Sequence, residues 1–320
     1  MTYTAKILAH SKTPNSFVPP ALTFDCLYPR VIHSELMTHR VWSRNASSSR
    51  AVPTSAIIKM VRDDPYVPLR WGLAGKGMQD HGEMSPQAQK RHLRAYMQAR
   101  DNALETVERM LADPEKPAKQ IVNRLLEPWS HIRVVITGTT FANFFAQRRN
   151  PGADPAIQAL AEAMWQAYKK STPELLEPGQ WHLPYIQDFE KMAIFGLTGE
   201  ERDIAMGNLI KMSAGRCART SYNRSTNLAP LAEEDLTLTD MLITSRPMHA
   251  SPLEHQLTPD TFQLYDQPDR ETGRPKLTRV WDHPEQSGNL AHGWRQYRKT
   301  IPGENITRYA PDDEDGWSIG

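Results

Sequence analysis

The sequence predicts an α+β fold, a small and mostly antiparallel sheet set among several long helices, and three observations predict it. Residues 131–140, HIRVVITGTT, have the β-branched density of a buried strand. Residues 20–28, PALTFDCLY, place Leu22, Phe24 and Cys26 in a period of two, between Pro20 and Pro29. Ser85-Pro86-Gln87 opens a helix that runs to about Ala112, with a capping serine and a proline in the first turn. Its apolar stripe is Leu93, Met97, Leu104, Val107, Met110 and Leu111.

The remaining elements follow in order. Val31, Ile32, Leu36 and Met37 have helical spacing, so residues 31–40 predict a helix beside the first strand. SRNASSSRAVPTSA has no apolar period and predicts a loop until residues 56–61 resume. Residues 63–86 form an irregular connection, in which Gly72, Gly75 and Gly77 match neither the dinucleotide fingerprint nor the P-loop. Residues 119–126 predict a helix stopped at Pro128, and 141–149 a further helical turn or two. Helices are expected over 155–170, 200–216 and 233–243. Beyond Leu257 the chain is rich in Pro, Asp, Gly and Arg without sustained period. We therefore expect one catalytic domain over 1–260 and a carboxy-terminal extension over 261–320.

Composition narrows the function. The chain has 320 residues, 39% hydrophobic and 23% charged, an ordinary globular make-up. No apolar run approaches the roughly 18 residues of a membrane span, and the first residues lack a secretory pattern. A cytoplasmic protein with no membrane partner is expected. Cys26 and Cys217 are two isolated thiols, suited to a reducing compartment and to burial as small apolar groups. With 38 basic against 37 acidic side chains, no whole-chain field exists to hold a nucleic-acid backbone. His249 and His255 lack the helical His-Glu-x-x-His spacing and a third ligand, so no metal site is expected.

Any anion must therefore meet a local cluster, and residues 38–50 offer one. Arg40, Arg44 and Arg50 bring three guanidiniums, His39 an imidazole, and Ser43, Ser47, Ser48 and Ser49 their hydroxyls. Guanidinium forks make bidentate bonds to phosphate, and hydroxyls fill the remaining oxygen lone pairs. The same composition also describes a plain solvated loop.

The segment resembles the signature of flavin-dependent thymidylate synthases: Arg-His-Arg, two free positions, Ser, one free, Asn, two free, Ser, one free, Arg, Tyr. His39, Arg40, Ser43, Asn45, Ser48 and Arg50 match in register, six of eight fixed positions, while Thr38 and Ala51 depart. Arg30 and Glu35 fall where the family has a substrate-binding Arg and a Gln or Glu. KQIVNRLLEP is similar to its Ala-Arg-x-x-Leu-Pro helix end, and Asn143 to Arg148 to its Asn-Phe-x-x-Leu-Arg segment. Two family segments that precede the signature elsewhere follow it here: Ala218-Arg219-Thr220-Ser221-Tyr222 and His249-Ala250-Ser251-Pro252-Leu253-Glu254-His255. The order reads as a circular permutation, which chains tolerate when their termini lie close together.

The resemblance implies a homotetramer with shared active sites, methylating C5 of dUMP with methylenetetrahydrofolate as carbon donor, FAD as hydride carrier and NADPH as reductant. It implies that His39, Arg40, Asn45, Ser251 and His255 meet FAD, and that Arg30, Glu35, Ser48, Ser49 and Arg50 hold the nucleotide. Arg148 would sit near the flavin or the pyrimidine, and with Arg50 and Gln158 would form the catalytic set. Gln158 stands where the family has an Arg that contacts uracil. Glutamine offers an acceptor as well as a donor, so it could pair with the 4-amino group of cytosine. That opens a second reading, a dCMP (or dUMP) 5-hydroxymethylase, with Arg148 or Arg149 reaching the ring if the alignment slips. The missing arginines at positions 38 and 158 open a third, a silent flavin- or nucleotide-binding protein.

Overall fold

β1 (Thr4–Lys12) and β2 (Ala21–Pro29) pair antiparallel at the centre of a computed structural model that describes residues 3–77, 81–222, 232–268 and 275–305. β3 (Ser43–Ala46) and β4 (His131–Gly138) continue the sheet antiparallel, and β5 (Glu174–Leu175) adds to β1 in parallel, giving the order β3-β4-β2-β1-β5. β2 lies between β1 and β4 and is buried from Ala21 to Cys26 on both faces. Its period-two pattern is real, but the alternating Thr23 and Asp25 are covered rather than wet.

Each face has its own cover. α6 (Pro155–Lys170) lays Ile157, Leu160 and Met164 on Phe24, Cys26, Val134 and Ile136. Its start is fixed by Asp154, whose side chain accepts from the backbone N–H groups of Ala156 and Ile157, ahead of Pro155 in the first turn. On the opposite face Val135 packs on Tyr185 and on Cys217 of α8 (Gly199–Arg219). Asp25 meets Arg133 there in a two-bond ion pair. Both cysteines are buried, and burial pushes both thiols up.

The other helices are α1 (His33–Leu36), α2 (Thr54–Asp63), α3 (Pro86–Ala112), α4 (Lys119–Arg124), α5 (Ala142–Arg148), α7 (Asp188–Met192) and α9 (Ala232–Thr244). α3 is capped by Ser85 as expected, but of its stripe only Leu104 and Val107 are buried, against α2 and α4; Leu93 is exposed. α1 stops at Leu36 rather than 40, and the four residues of β3 interrupt the expected loop. β1 answers to no strand signal read from the sequence.

Some described residues beyond 260 pack against earlier parts of the chain. β6 (Leu257–Pro259) pairs antiparallel with β9 (Trp294–Gln296), while β7 (Phe262–Pro268) pairs with β8 (Pro275–Trp281). Trp294 is fully buried in a cluster with Val18, Ala21, Leu176 and Leu257, and its indole N–H donates to the Pro19 carbonyl at 2.9 Å. Packing therefore crosses the division expected at 260/261. No helix among the described residues is long and apolar enough to cross a membrane.

Candidate active site

The Ser- and Arg-rich turn after β3 is held by backbone and side-chain bonds rather than left in solvent. Ser47 donates its N–H to the Arg133 carbonyl at 2.8 Å, and its hydroxyl accepts from the Arg133 N–H at 3.2 Å. Buried Asn123, on α4, donates its amide to the carbonyls of Ser49 (2.9 Å) and Val52 (3.1 Å). Ser49 donates its hydroxyl to Glu127, whose carboxylate lies 3.7 Å from Arg30. Arg30 also donates to the Ser47 carbonyl at 3.1 Å. A guanidinium carries five N–H donors, so these bonds fix Arg30 and leave it capacity for an anion.

A second cluster sits on α1 and α5. Arg148 pairs with Glu35 and donates through Nε to His39 Nε2 at 3.2 Å. His39 is stacked on Trp42 with ring centroids 5.1 Å apart and meets the edge of Phe144 at 5.0 Å. Burial, then the charges of Arg148 and Arg44, hold its pKa below the usual histidine value. The ring is a neutral acceptor toward Arg148, which leaves Nδ1 to carry the proton. Arg44 donates to the carbonyl of His39 at 3.2 Å and so closes the turn between α1 and β3.

A third cluster joins β3 to residues two hundred positions away. The Asn45 amide lies 3.1 Å from His255 Nε2, and with its nitrogen on this side the two N–H groups are shared among His255 Nε2 and the carbonyls of Arg44 (3.2 Å) and Ser251 (3.1 Å). Ser48 donates its N–H to the carbonyl of Ser221 at 2.9 Å, and its hydroxyl accepts from the Arg50 N–H at 3.2 Å. The segments around 218–222 and 249–255 thus rest against the Arg-rich turn and β3. Gln296 of β9 donates to Ser43 at 3.2 Å and to the Glu254 carbonyl at 3.1 Å, so the chain beyond 260 closes the same corner.

The residues expected from the sequence divide accordingly. Arg30, Ser48 and Ser49 come together on one turn, Glu35, His39 and Arg148 on a second cluster, and Asn45, Ser251 and His255 on a third. Arg40 and Arg50 are exposed, and neither side chain is ion-paired among the described residues. Gln158, in the first turn of α6, reaches only the Arg149 carbonyl, at 3.4 Å. Sequence reasoning passed over Glu127, Asn123, Trp42 and Gln296. The first two lie in KQIVNRLLEP, where the spacing of Asn123 and Glu127 was itself the available signal. Gln296 gave none, because its partners lie far off in the chain. Among the described residues no group of three or more His, Cys, Asp or Glu could hold a metal ion.

A turn at the edge of a mixed sheet that gathers guanidinium and hydroxyl groups, with an imidazole close by in the chain, marks an α+β scaffold with the donor chemistry that anions require. The sequence model of the thymidylate synthase complementing protein family matches residues 3–174, more than half of the chain, and the chain belongs to that enzyme family. The match ends before the segments around Ser221 and His255. No curated protein matches the chain. Among solved structures it is similar to a UMP/dUMP methylase, PolB from Streptomyces cacaoi bound with 5-Br UMP, at 20% identity over 53% of this chain and 89% of that one, with a TM-score of 0.43. It is also similar to the flavin-dependent thymidylate synthase ThyX from Helicobacter pylori complexed with FAD and dUMP, at 16% identity over 46% of this chain and 67% of that one, with a TM-score of 0.31.

Proposed function

We propose that the protein transfers a one-carbon unit from methylenetetrahydrofolate to C5 of a deoxypyrimidine monophosphate, dUMP giving dTMP in the first instance, with FAD and NADPH. The observation that carries this reading is the presence, in a member of this family, of two different clusters, the Arg30–Ser47–Ser49–Glu127 turn and the Glu35–Arg148–His39 group. The donor chemistry fits both ligands: guanidiniums and hydroxyls suit phosphates, and a neutral imidazole with an amide suits a heteroaromatic ring. FAD, when bound, supplies the hydride.

The chain's own residues then have separable tasks. Arg30, Ser48 and Arg50 hold the nucleotide phosphate and Glu35 orients Arg148, while Ser49, expected beside them, is buried and spends its one hydroxyl proton on Glu127. Arg148 stabilises negative charge on the pyrimidine ring without giving up a proton, as a preorganised cation does best away from water. His39, Arg40, Asn45, Ser251 and His255 face the flavin side. A thiol nucleophile has no place in this scheme, since both cysteines are buried with raised pKa values. The exposed Met37 and Val41 flank His39, a surface that a second subunit of the expected homotetramer would cover; the expected compartment is the cytoplasm.

Gln158 favours a second reading. Its amide gives one N–H to the Arg149 carbonyl, and its carbonyl oxygen is an acceptor suited to the 4-amino group of cytosine, which an arginine at this position would lack. On that reading dCMP replaces dUMP and the product carries a hydroxymethyl group. Incubation with FAD, NADPH, methylenetetrahydrofolate and equal dUMP and dCMP, read by mass spectrometry, decides the matter. Methylated dUMP supports the first reading, hydroxymethylated dCMP the second. Retained flavin with no product sinks both and leaves a binding protein.

A further inference from the structure

Behind the candidate site an unbroken line of buried side chains crosses the sheet. Ser11 on β1 lies 2.8 Å from His182 Nδ1, and His182 Nε2 lies 2.7 Å from the Thr23 hydroxyl on β2. Thr23 meets Thr137 on β4 at 2.6 Å, Thr137 meets His255 Nδ1 at 2.7 Å, and His255 Nε2 meets the Asn45 amide on β3 at 3.1 Å. All six are buried. Desolvation by burial pulls both imidazoles down to about 3, so both are neutral near pH 7.

Neutrality restricts the line severely. A neutral imidazole with both nitrogens engaged must donate from one and accept at the other, and a hydroxyl has one proton to give. A hydroxyl can also accept twice, but Thr23 or Thr137 would then bury a proton without an acceptor, since neither hydroxyl has another partner among the described residues. Spending every buried proton inside the line leaves two arrangements: all donors pointing from Asn45 toward Ser11, or all pointing back. The carbonyls of Arg44 and Ser251 decide between them, since a carbonyl only accepts and both lie within 3.2 Å of the Asn45 amide nitrogen. Asn45 then donates to His255, His255 to Thr137, Thr137 to Thr23, Thr23 to His182 and His182 to Ser11. Both rings carry their proton on Nδ1.

We propose that this line acts as one polarity-locked unit, which makes Ser11 and His182 positioning residues for the Asn45 amide on the candidate flavin side. Coupling of this kind is reciprocal: what the Asn45 carbonyls impose on His182, a change at Ser11 imposes on Asn45. Removing the Ser11 hydroxyl leaves a buried Nδ1–H without an acceptor, which favours the opposite polarity. The role assigned to Asn45 rests on the flavin reading above; the coupling itself does not.

The test uses full-length protein labelled with 15N-histidine, with ring-nitrogen signals assigned by His182→Gln and His255→Gln. Both rings are expected as neutral Nδ1–H tautomers between pH 5 and 8. Asn45→Asp, which presents only acceptors, is expected to convert His182 as well as His255 to the Nε2–H form. Ser11→Ala is expected to bring a second tautomer into His255 and to raise the FAD dissociation constant about tenfold, with Ser11→Thr restoring both. Opposite tautomers in the wild type, or a His255 signal unmoved by Ser11→Ala, overturns the proposal, and the Ser11 arm stands even where Asn45→Asp does not fold. Wild-type protein that binds no FAD defeats the flavin reading, while the tautomer signals still decide the coupling.

Discussion

Ser48 donates its backbone N–H to the carbonyl of Ser221 at 2.9 Å, so the turn carrying the candidate phosphate donors hangs on the last turn after α8. The Arg-rich turn is thus held from three sides: by β4 through Ser47, by α4 through Asn123, and by α8 through Ser221. Its geometry depends on packing remote from the anion it would bind.

Arg50→Ala removes a charged donor from an exposed position and leaves the core untouched. Loss of a charge-assisted bond is worth about 1.5–3 kcal/mol, so the KM for the nucleotide is expected to rise about 10- to 100-fold with little change in melting temperature. Arg148→Gln removes a group aimed at developing charge, and kcat should fall on the order of 100- to 1000-fold. Steady-state kinetics with the nucleotide varied separates the two, and equal effects on KM and kcat for both variants would contradict the division of labour.

Gln158→Arg restores a donor-only side chain. Selectivity for dUMP over dCMP, measured as the ratio of kcat/KM values, is expected to rise at least about tenfold, the effect of roughly one unpaired polar contact. A ratio that does not move would place base selection elsewhere, with Arg148 or Arg149.

Asn123→Ala leaves the carbonyls of Ser49 and Val52 without their donor in a buried place. The expected cost is about 1–3 kcal/mol of stability. Nucleotide affinity should drop as well, because Ser48, Ser49 and Arg50 lose their shared anchor. Calorimetric melting with and without dUMP checks both, and a variant that melts lower yet binds dUMP normally would show the anchor to be dispensable for the site.

Stability should fall as pH falls from about 6.5 toward 3. Burial depresses the imidazoles of His182 and His255 to about 3 and that of His33 to about 4. Below about 6.5 the unfolded chain takes up protons at these positions while the folded one does not, so the unfolded state binds more protons and loss of stability follows. Each histidine contributes a slope of about 1.4 kcal/mol per pH unit inside its window. Urea midpoints at pH 5 and pH 7 test the sign, and His182→Gln should shallow the dependence by one proton. An unchanged slope would mean that His182 is not held neutral by burial.

Much of the fold was legible because its signals are local. Ser85-Pro86 and Asp154-Pro155 each announce a helix start through a cap and a fixed φ, and both starts are where they announce them. β4 declared itself through consecutive β-branched residues. β3 could not, since four residues of Ser-Arg-Asn-Ala have no period to show, and they are extended because β4 offers them a ladder. Within the site, Arg30, Glu35, His39, Asn45 and Arg148 were legible through resemblance. Glu127, Asn123 and Gln296 act through partners far along the chain, and spacing within a segment does not encode such partners.

Trp294→Ala empties a fully buried site shared with Val18, Ala21 and Leu257, at an expected cost of about 3–5 kcal/mol. Because β9 also carries Gln296 to Ser43, turnover should drop further than the melting point explains. Turnover that merely tracks the folded fraction would reduce β9 to a scaffold role.

The bonds between Asn45 and His255 and between Gln296 and Ser43 join β3 to residues more than two hundred positions later in the chain. A ribosome extruding this chain releases the Arg-rich turn long before it releases the groups that seat it. The nascent polypeptide can build β1, β2 and β4 while still attached, yet the corner around β3 closes only once Gln296 has emerged. Products of synthesis interrupted before that point would therefore keep their sheet and lack a finished corner.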